Sequence, residues 1–174
     1  SETFTVCAMV DVIKLGLAKP ADVEKPAYLF SWLAEETQPH SSPIILTRKD
    51  TREFDPILKT DWGHDGIVIV CSELKQDELV EKLRKLARYS ARNKKPSEQD
   101  SAMGCYIPSV FSAMLTYTRP TEVQDWFESL SAVILESDTE DEWQIFAPRE
   151  FDKPLSELGF ELPEDPEPEV DGNA

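Results

Sequence analysis

The chain has 174 residues, enough for one domain that buries roughly 70% of its unfolded surface. Hydrophobic residues make up 40%, which excludes wholesale disorder, and no stretch approaches the roughly 18 apolar residues of a membrane span. With 34 acids against 18 bases the formal charge is -16, which disfavours nucleic acid and anionic membranes as partners.

In chain order, residues 3–13 are rich in Val, Ile and Phe and predict a buried strand, ended by Gly16 and Pro20. Residues 23–36 place Val23, Ala27, Phe30 and Leu33 on one helical face, with Pro26 in the first turn. His40–Pro43 predicts a loop, Ile44–Leu46 a short strand, Asp55-Pro56 the start of a short helix or turn, and Trp62–Gly66 another loop. Gly66–Cys71 is the clearest strand: it lacks polar alternation, so both of its faces should be covered.

The clearest helix, residues 72–91, follows directly. Leu79, Val80, Leu83, Leu86 and Ala87 form one apolar stripe, with Asp77 and Glu78 early and bases late, as the helix dipole favours. Residues 93–100 predict a polar loop. Met103–Ile107 predicts a short strand broken by Pro108, which opens a helix over Ser109–Tyr117. Arg119-Pro120-Thr121 opens a further helix containing Trp126, Phe127 and Leu130. Ala132–Leu135 and Trp143–Phe146 flank the acidic loop 137–142 and predict an antiparallel hairpin.

The expected fold is α/β: a mixed, mostly covered sheet of five or six strands with helices on both faces, formed by residues 1–150. Residues 151–174 form an acidic, Pro-rich tail, in which Leu155, Leu158, Phe160 and Leu162 supply one more docked turn and the last residues are mobile or extended.

The charge is unevenly spread. Residues 1–130 hold 20 acids and 16 bases, a net of -4, whereas residues 131–174 hold 14 acids and 2 bases, a net of -12. Against this background one basic cluster stands out: Lys82, Arg84, Lys85, Arg88, Arg92, Lys94 and Lys95 lie within 14 residues that contain no acid. Arg84 and Arg88 are one helical turn apart. The cluster reads as a solvated face with dipole-favoured charges, or as a contact for an acidic partner or for the acidic tail. Aromatic interleaving is limited to Tyr89, so nucleic-acid binding is not expected.

Catalytic motifs are missing from the sequence. Neither a Gly-x-Gly-x-x-Gly nor a Gly-x-x-x-x-Gly-Lys loop is present, and there is no Gly-x-Ser-x-Gly elbow. Asp61, His64 and Asp65 offer oxygen and nitrogen ligands in one loop, but their spacing matches no closed metal site. The expectation is no enzyme and no cofactor. Cys7, Cys71 and Cys105 lie in apolar runs at wide spacing and read as reduced, packed thiols, which points to the cytoplasm. The N-terminal residues carry no basic leader followed by an apolar run, so no signal peptide is expected. Among the four tryptophans, Trp32, Trp126 and Trp143 read as core, and Trp62 as an exposed aromatic anchor.

A strand over Gly66–Val70 leads into Ser72, a helix over Leu79–Leu86, and then Cys105-Tyr-Ile-Pro-Ser-Val-Phe111. This order resembles the type VI secretion effector-chaperone family, small adaptors that load effectors onto the VgrG spike. The matching positions are Ser72, Leu83, Arg84, Tyr106 and Pro108, with a similar first strand at Cys7–Asp11, and the resemblance spans residues 4–147. Lys82 stands where the family has His, Gly104 where it has Arg, and Ile107 where it has the Asp before Pro.

The resemblance implies a non-enzymatic cytoplasmic chaperone whose partner is a secreted effector and possibly the spike. The expected partner-binding residues are Arg84, Lys85, Arg88, Arg92, Trp62 and Tyr106. The competing expectation is an acidic inhibitor or immunity-type protein that blocks a basic toxin or enzyme through its C-terminal third.

Overall fold

A computed structural model of the chain describes residues 4–17, 26–49, 51–88, 104–117, 128–137 and 143–146. They form six strands, β1 (Thr5–Val10), β2 (Ala27–Tyr28), β3 (Ile44–Thr47), β4 (Ile67–Ser72), β5 (Ala132–Glu136) and β6 (Trp143–Phe146). The helices are α1 (Gln38–Ser41), α2 (Phe54–Asp61), α3 (Gln76–Ala87) and α4 (Pro108–Tyr117). The strands make one sheet in the order β2-β3-β1-β4-β5-β6.

The α/β class, the six strands and the helices on both faces are as the sequence led us to expect. The sheet is not mixed in direction, however, for every pairing is antiparallel. The connection from β1 to β4 returns through β2 and β3, which reverses the chain between the two central strands. The apolar run of β4 therefore reflects a central strand covered on both faces, not a parallel one.

Alternate side chains divide the core in two. Cys7 and Met9 of β1, Val68 and Val70 of β4, and Val133 and Leu135 of β5 point to one face. There they meet Leu79, Leu83 and Leu86 of α3 and Phe111 and Leu115 of α4. Val6, Ala8, Val10, Ile67, Ile69, Cys71, Ala132 and Ile134 point to the other face, onto Phe54 and Leu58 of α2 and the residues Val12, Leu15 and Leu17 that follow β1.

The expected helix over residues 23–36 is overturned across its described part. Ala27 and Tyr28 pair with Ile45 and Ile44 of β3. The next donors also turn outward, Leu29 N to the Pro43 carbonyl at 2.9 Å and Phe30 N to the buried Ser42 hydroxyl at 2.8 Å. These bonds to the segment at 42–45 take the place of i→i−4 bonds, so the helical spacing of Ala27, Phe30 and Leu33 coincides with burial along a bent strand end. The loop expected at His40–Pro43 instead begins inside the short helix α1.

The strand expected over Met103–Ile107 is a turn in its described part, closed by Ile107 N on the Gly104 carbonyl at 3.0 Å. A side chain at Gly104 would place its Cβ 2.7 Å from Val110 Cγ1, so the turn packs tightly against the α4 that it feeds. Pro108 is the first residue of that helix, as expected. Arg92, Trp126, the loop over 93–100, the body of the helix after Arg119 and the tail 151–174 lie outside the described residues.

Candidate functional site

Two groups of side chains join elements that are far apart in sequence, one on the α3–α4 face and one at the end of the sheet where β4 begins and β5 ends. The first is built on α3. Its buried stripe faces the sheet and turns its bases outward along the rim. Arg84 is committed inward: Nε donates to the Tyr28 carbonyl at 3.0 Å, and Nη1 meets the Glu81 carboxylate at 2.6 Å. One turn later the Arg88 guanidinium lies 4.9 Å from the centre of the Trp32 ring. Trp32 packs on Phe30 at 5.0 Å between centroids, and Phe30 meets Tyr106 edge-on at 5.4 Å.

Arg88, Trp32, Phe30 and Tyr106 thus form a ladder that joins α3, the segment after β2 and the turn before α4. Arg88 is exposed, Trp32 and Tyr106 are half-buried, and only Phe30 is closed from solvent. Burial, and next the charge of Asp11, push the Tyr106 hydroxyl above its ordinary pKa, so it stays a neutral donor. Lys85 is exposed on the same helix. Of the expected partner-binding residues, Arg84, Lys85, Arg88 and Tyr106 therefore share this face. Trp62 does not: it is half-buried and packs on the core of the opposite face.

The second group is polar. Asp65 adopts a φ of 55°, which its short side chain tolerates better than most. Its carboxylate accepts from Ser109 N at 2.8 Å, from Ser109 Oγ at 2.7 Å and from Lys14 Nζ at 3.0 Å. Ser109 is the second residue of α4, so Asp65 does from 44 residues away what an N-cap carboxylate does locally. Ile107 occupies the cap position and has no acceptor side chain. Asp65 thus serves this helix end, where the resemblance led us to expect an Asp directly before the proline.

Glu136, at the end of β5, holds the same loop from the other side. It accepts from Gly63 N at 2.8 Å and Asp65 N at 2.6 Å. Gly63 has a φ of 94°, a backbone conformation that a side chain would strain. The two carboxylates are shifted in opposite directions. Burial pushes Asp65 up, but the bonds from Ser109 and Lys14 together outweigh it and hold it below the usual range. Burial raises Glu136, the neighbouring charge of Asp65 adds to this, and the two N–H bonds only partly offset it.

In sequence, Asp61, His64 and Asp65 share one loop at a spacing that matches no closed metal site. Among the described residues no three of His, Cys, Asp and Glu gather as a metal site, and Asp65 is used as a clasp. Phe30 lies in the core and Trp32 packs half-buried against it, as expected of apolar-face residues; what spacing did not show is that Trp32 lies under Arg88. Glu136 was missed because it is one acid among 34. Its position at the end of an apolar strand, level with a Gly-His-Asp-Gly loop, is the signal that sets it apart.

The three thiols are free and buried; burial pushes Cys7 up to about 11 and Cys71 and Cys105 up to about 12, so each stays protonated. No described helix is long and apolar enough to cross a membrane. Comparison with protein-family models, with curated proteins and with solved structures finds no match to this chain.

Proposed function

We propose that the chain is a non-enzymatic cytoplasmic adaptor that binds a type VI secretion effector and helps to load it onto the VgrG spike. The observation that carries this reading is the ladder Arg88–Trp32–Phe30–Tyr106. It presents arginine and aromatic side chains, the types that dominate protein–protein hot spots, partly exposed on a rigid base. The positions that carry the family resemblance support it as well. Ser72 bonds to the Ser129 carbonyl, Arg84 to Tyr28, Leu83 fills the core beneath, and Tyr106 and Pro108 build the turn into α4.

The test is co-expression with a type VI effector and a VgrG spike protein from the native host, followed by capture at high salt. Arg88→Glu and Tyr106→Ala should each lower effector retention at least tenfold while the melting temperature stays within a few degrees. Arg84 is unsuitable for this test, because reversing its charge also breaks its bond to Tyr28. Unchanged retention in both variants overturns the ladder as the binding surface, and the absence of any complex overturns the adaptor reading.

One observation favours a second reading, an acidic inhibitor or immunity-type protein: the net charge of -12 over residues 131–174. Such a complex with a basic toxin would dissociate in high salt, whereas an effector held through apolar contacts would not.

A further inference from the structure

Lys14, Arg48 and Arg84 each face a carboxylate, that of Asp65, Asp55 and Glu81 in turn. On the last two turns of α3 and at its cap, Lys82, Lys85 and Arg88 form no ion pair among the described residues. Sequence spacing offers two of them a partner. Glu78 stands four residues before Lys82 and Glu81 four before Lys85, the favoured order for a helical ion pair. Both acids are used elsewhere. The Glu78 carboxylate turns back to accept from Lys75 N at 3.2 Å and caps the helix start, and Glu81 is taken by Arg84 at 2.6 Å. A chain with 34 acids and 18 bases thus keeps positive charge at this helix end.

Arg88 is also held in place. Its guanidinium lies 4.9 Å from the centre of the Trp32 ring, and that ring rests on the buried Phe30. A guanidinium that gives one side to a ring keeps N–H groups for a planar acceptor, and a carboxylate matches two of them at once. Lys85 is exposed three residues earlier. Helical positions three apart stand about 5–6 Å apart at Cβ, near the roughly 7 Å between alternate residues of an extended chain. Two carboxylates at alternate positions of an extended segment therefore reach both bases, and the next side chain on that side lies over Trp32. The net charge of -16 repels such a segment at distance, but salt screens that field beyond roughly 8 Å, so the local bases govern contact.

We propose that Lys85, Arg88 and Trp32 receive an acidic segment of a partner protein, two alternate carboxylates pairing with the bases and an apolar side chain following onto the ring. The proposal rests on reading the chain as a protein-binding module and names the chemistry that its aromatic ladder takes.

The probe is the blocked peptide Ser-Glu-Ser-Glu-Ser-Leu-Ser-Ser, titrated into the full chain and followed by amide and indole chemical shifts. The shifts should gather at Lys85, Arg88 and the Trp32 indole. Exchanging both Glu for Gln, or Leu for Ser, should each weaken binding at least fivefold, as should Arg88→Glu. Arg88→Lys keeps the charge but loses the fork, and it should weaken binding about threefold. Lys59→Glu, an equal charge change at an exposed base of α2, should leave binding unchanged. All three variants should keep the parent melting temperature, because both side chains are exposed.

Equal binding of the Glu and Gln peptides overturns the proposal, as does an equal loss in Lys59→Glu, which would reduce the effect to bulk charge. A peptide that binds only the full chain carrying Glu161→Gln, Glu164→Gln, Asp165→Asn, Glu167→Gln and Glu169→Gln would make the chain's own acids the occupant and overturn it too. Capture of the effector through Arg88 with no preference for the Glu peptide would leave the adaptor reading standing and this proposal fallen. Peptide binding as expected with no effector complex would do the reverse.

Discussion

The two faces of this sheet are closed by different means. On one, α3 and α4 lay two apolar helical stripes over Cys7, Met9, Val68, Val70, Val133 and Leu135. On the other, a single eight-residue helix, α2, shares the work with the residues after β1, and two carboxylates tie the intervening loop in place. The first face owes its order to burial, which is non-directional and spread over many side chains. The loop after α2 depends in addition on a few directed bonds, from Glu136 and, through Asp65, to the start of α4, each of which can be removed singly. Apolar cover and polar clasps should therefore fail in different ways.

The largest expected effects come from emptying each core. Phe54→Ala on the α2 face should cost about 3–5 kcal/mol and Leu83→Ala on the α3 face about 2–5 kcal/mol, since both side chains are almost fully buried. Urea unfolding followed by intrinsic fluorescence measures both. A cost below about 1 kcal/mol for Phe54→Ala would mean that α2 does not close a packed core, and the comparison would collapse to one working face.

The same contrast governs what could be read from the residues. β1, β3, β4, α3 and the β5–β6 hairpin were legible because their apolar pattern runs over three or more residues, and burial follows spacing. The helix read into residues 23–36 failed because Phe30 and Leu33 have helical spacing whichever structure buries them. Only the bonds of Leu29 N and Phe30 N to residues 42 and 43 decide the matter, and those are set by tertiary pairing. Within the candidate surface, the Arg84–Arg88 spacing was visible, but it concealed a division of labour. Arg84 is spent on the Tyr28 carbonyl, and Arg88 is displayed over a tryptophan that had been assigned to the core. The Asp65 clasp reaches across 44 residues, and no local pattern encodes it.

A smaller effect isolates that clasp. Asp65→Ala removes the acceptor for Ser109 and the partner of Lys14, and it places a β-carbon without a polar group at a φ of 55°. Its expected cost is about 1–3 kcal/mol, made of a lost cap and backbone strain. Asp65→Asn should cost less, because it tolerates that φ and keeps one acceptor oxygen. Cys105 lies four residues before Ser109, whereas Cys7 and Cys71 lie in the central strands. In Asp65→Ala, thiol labelling under native conditions should therefore accelerate at Cys105 more than at Cys7 or Cys71. Equal acceleration at all three would mean that the start of α4 opens only with the whole domain.

The smallest effect is a pH dependence, and here the two carboxylates pull in opposite directions. Asp65 is held below its ordinary value of 3.8, so its contribution is present above that pH and is lost as pH falls through its lowered folded value. Glu136 is raised above its ordinary value of 4.5. As pH climbs from 4.5, the unfolded chain releases this proton before the folded one does, so stability declines until the folded Glu136 has ionised too. Glu136→Gln removes that decline. It also leaves one acceptor oxygen for two N–H donors, a loss of about 1 kcal/mol that persists at every pH. The parent should thus be the more stable at pH 4.5, with its advantage over the variant narrowing as pH rises, in urea midpoints measured in parallel. An advantage that widens instead would mean that the bonds from Gly63 and Asp65 outweigh burial, and that the charged carboxylate is the form the loop is built to hold.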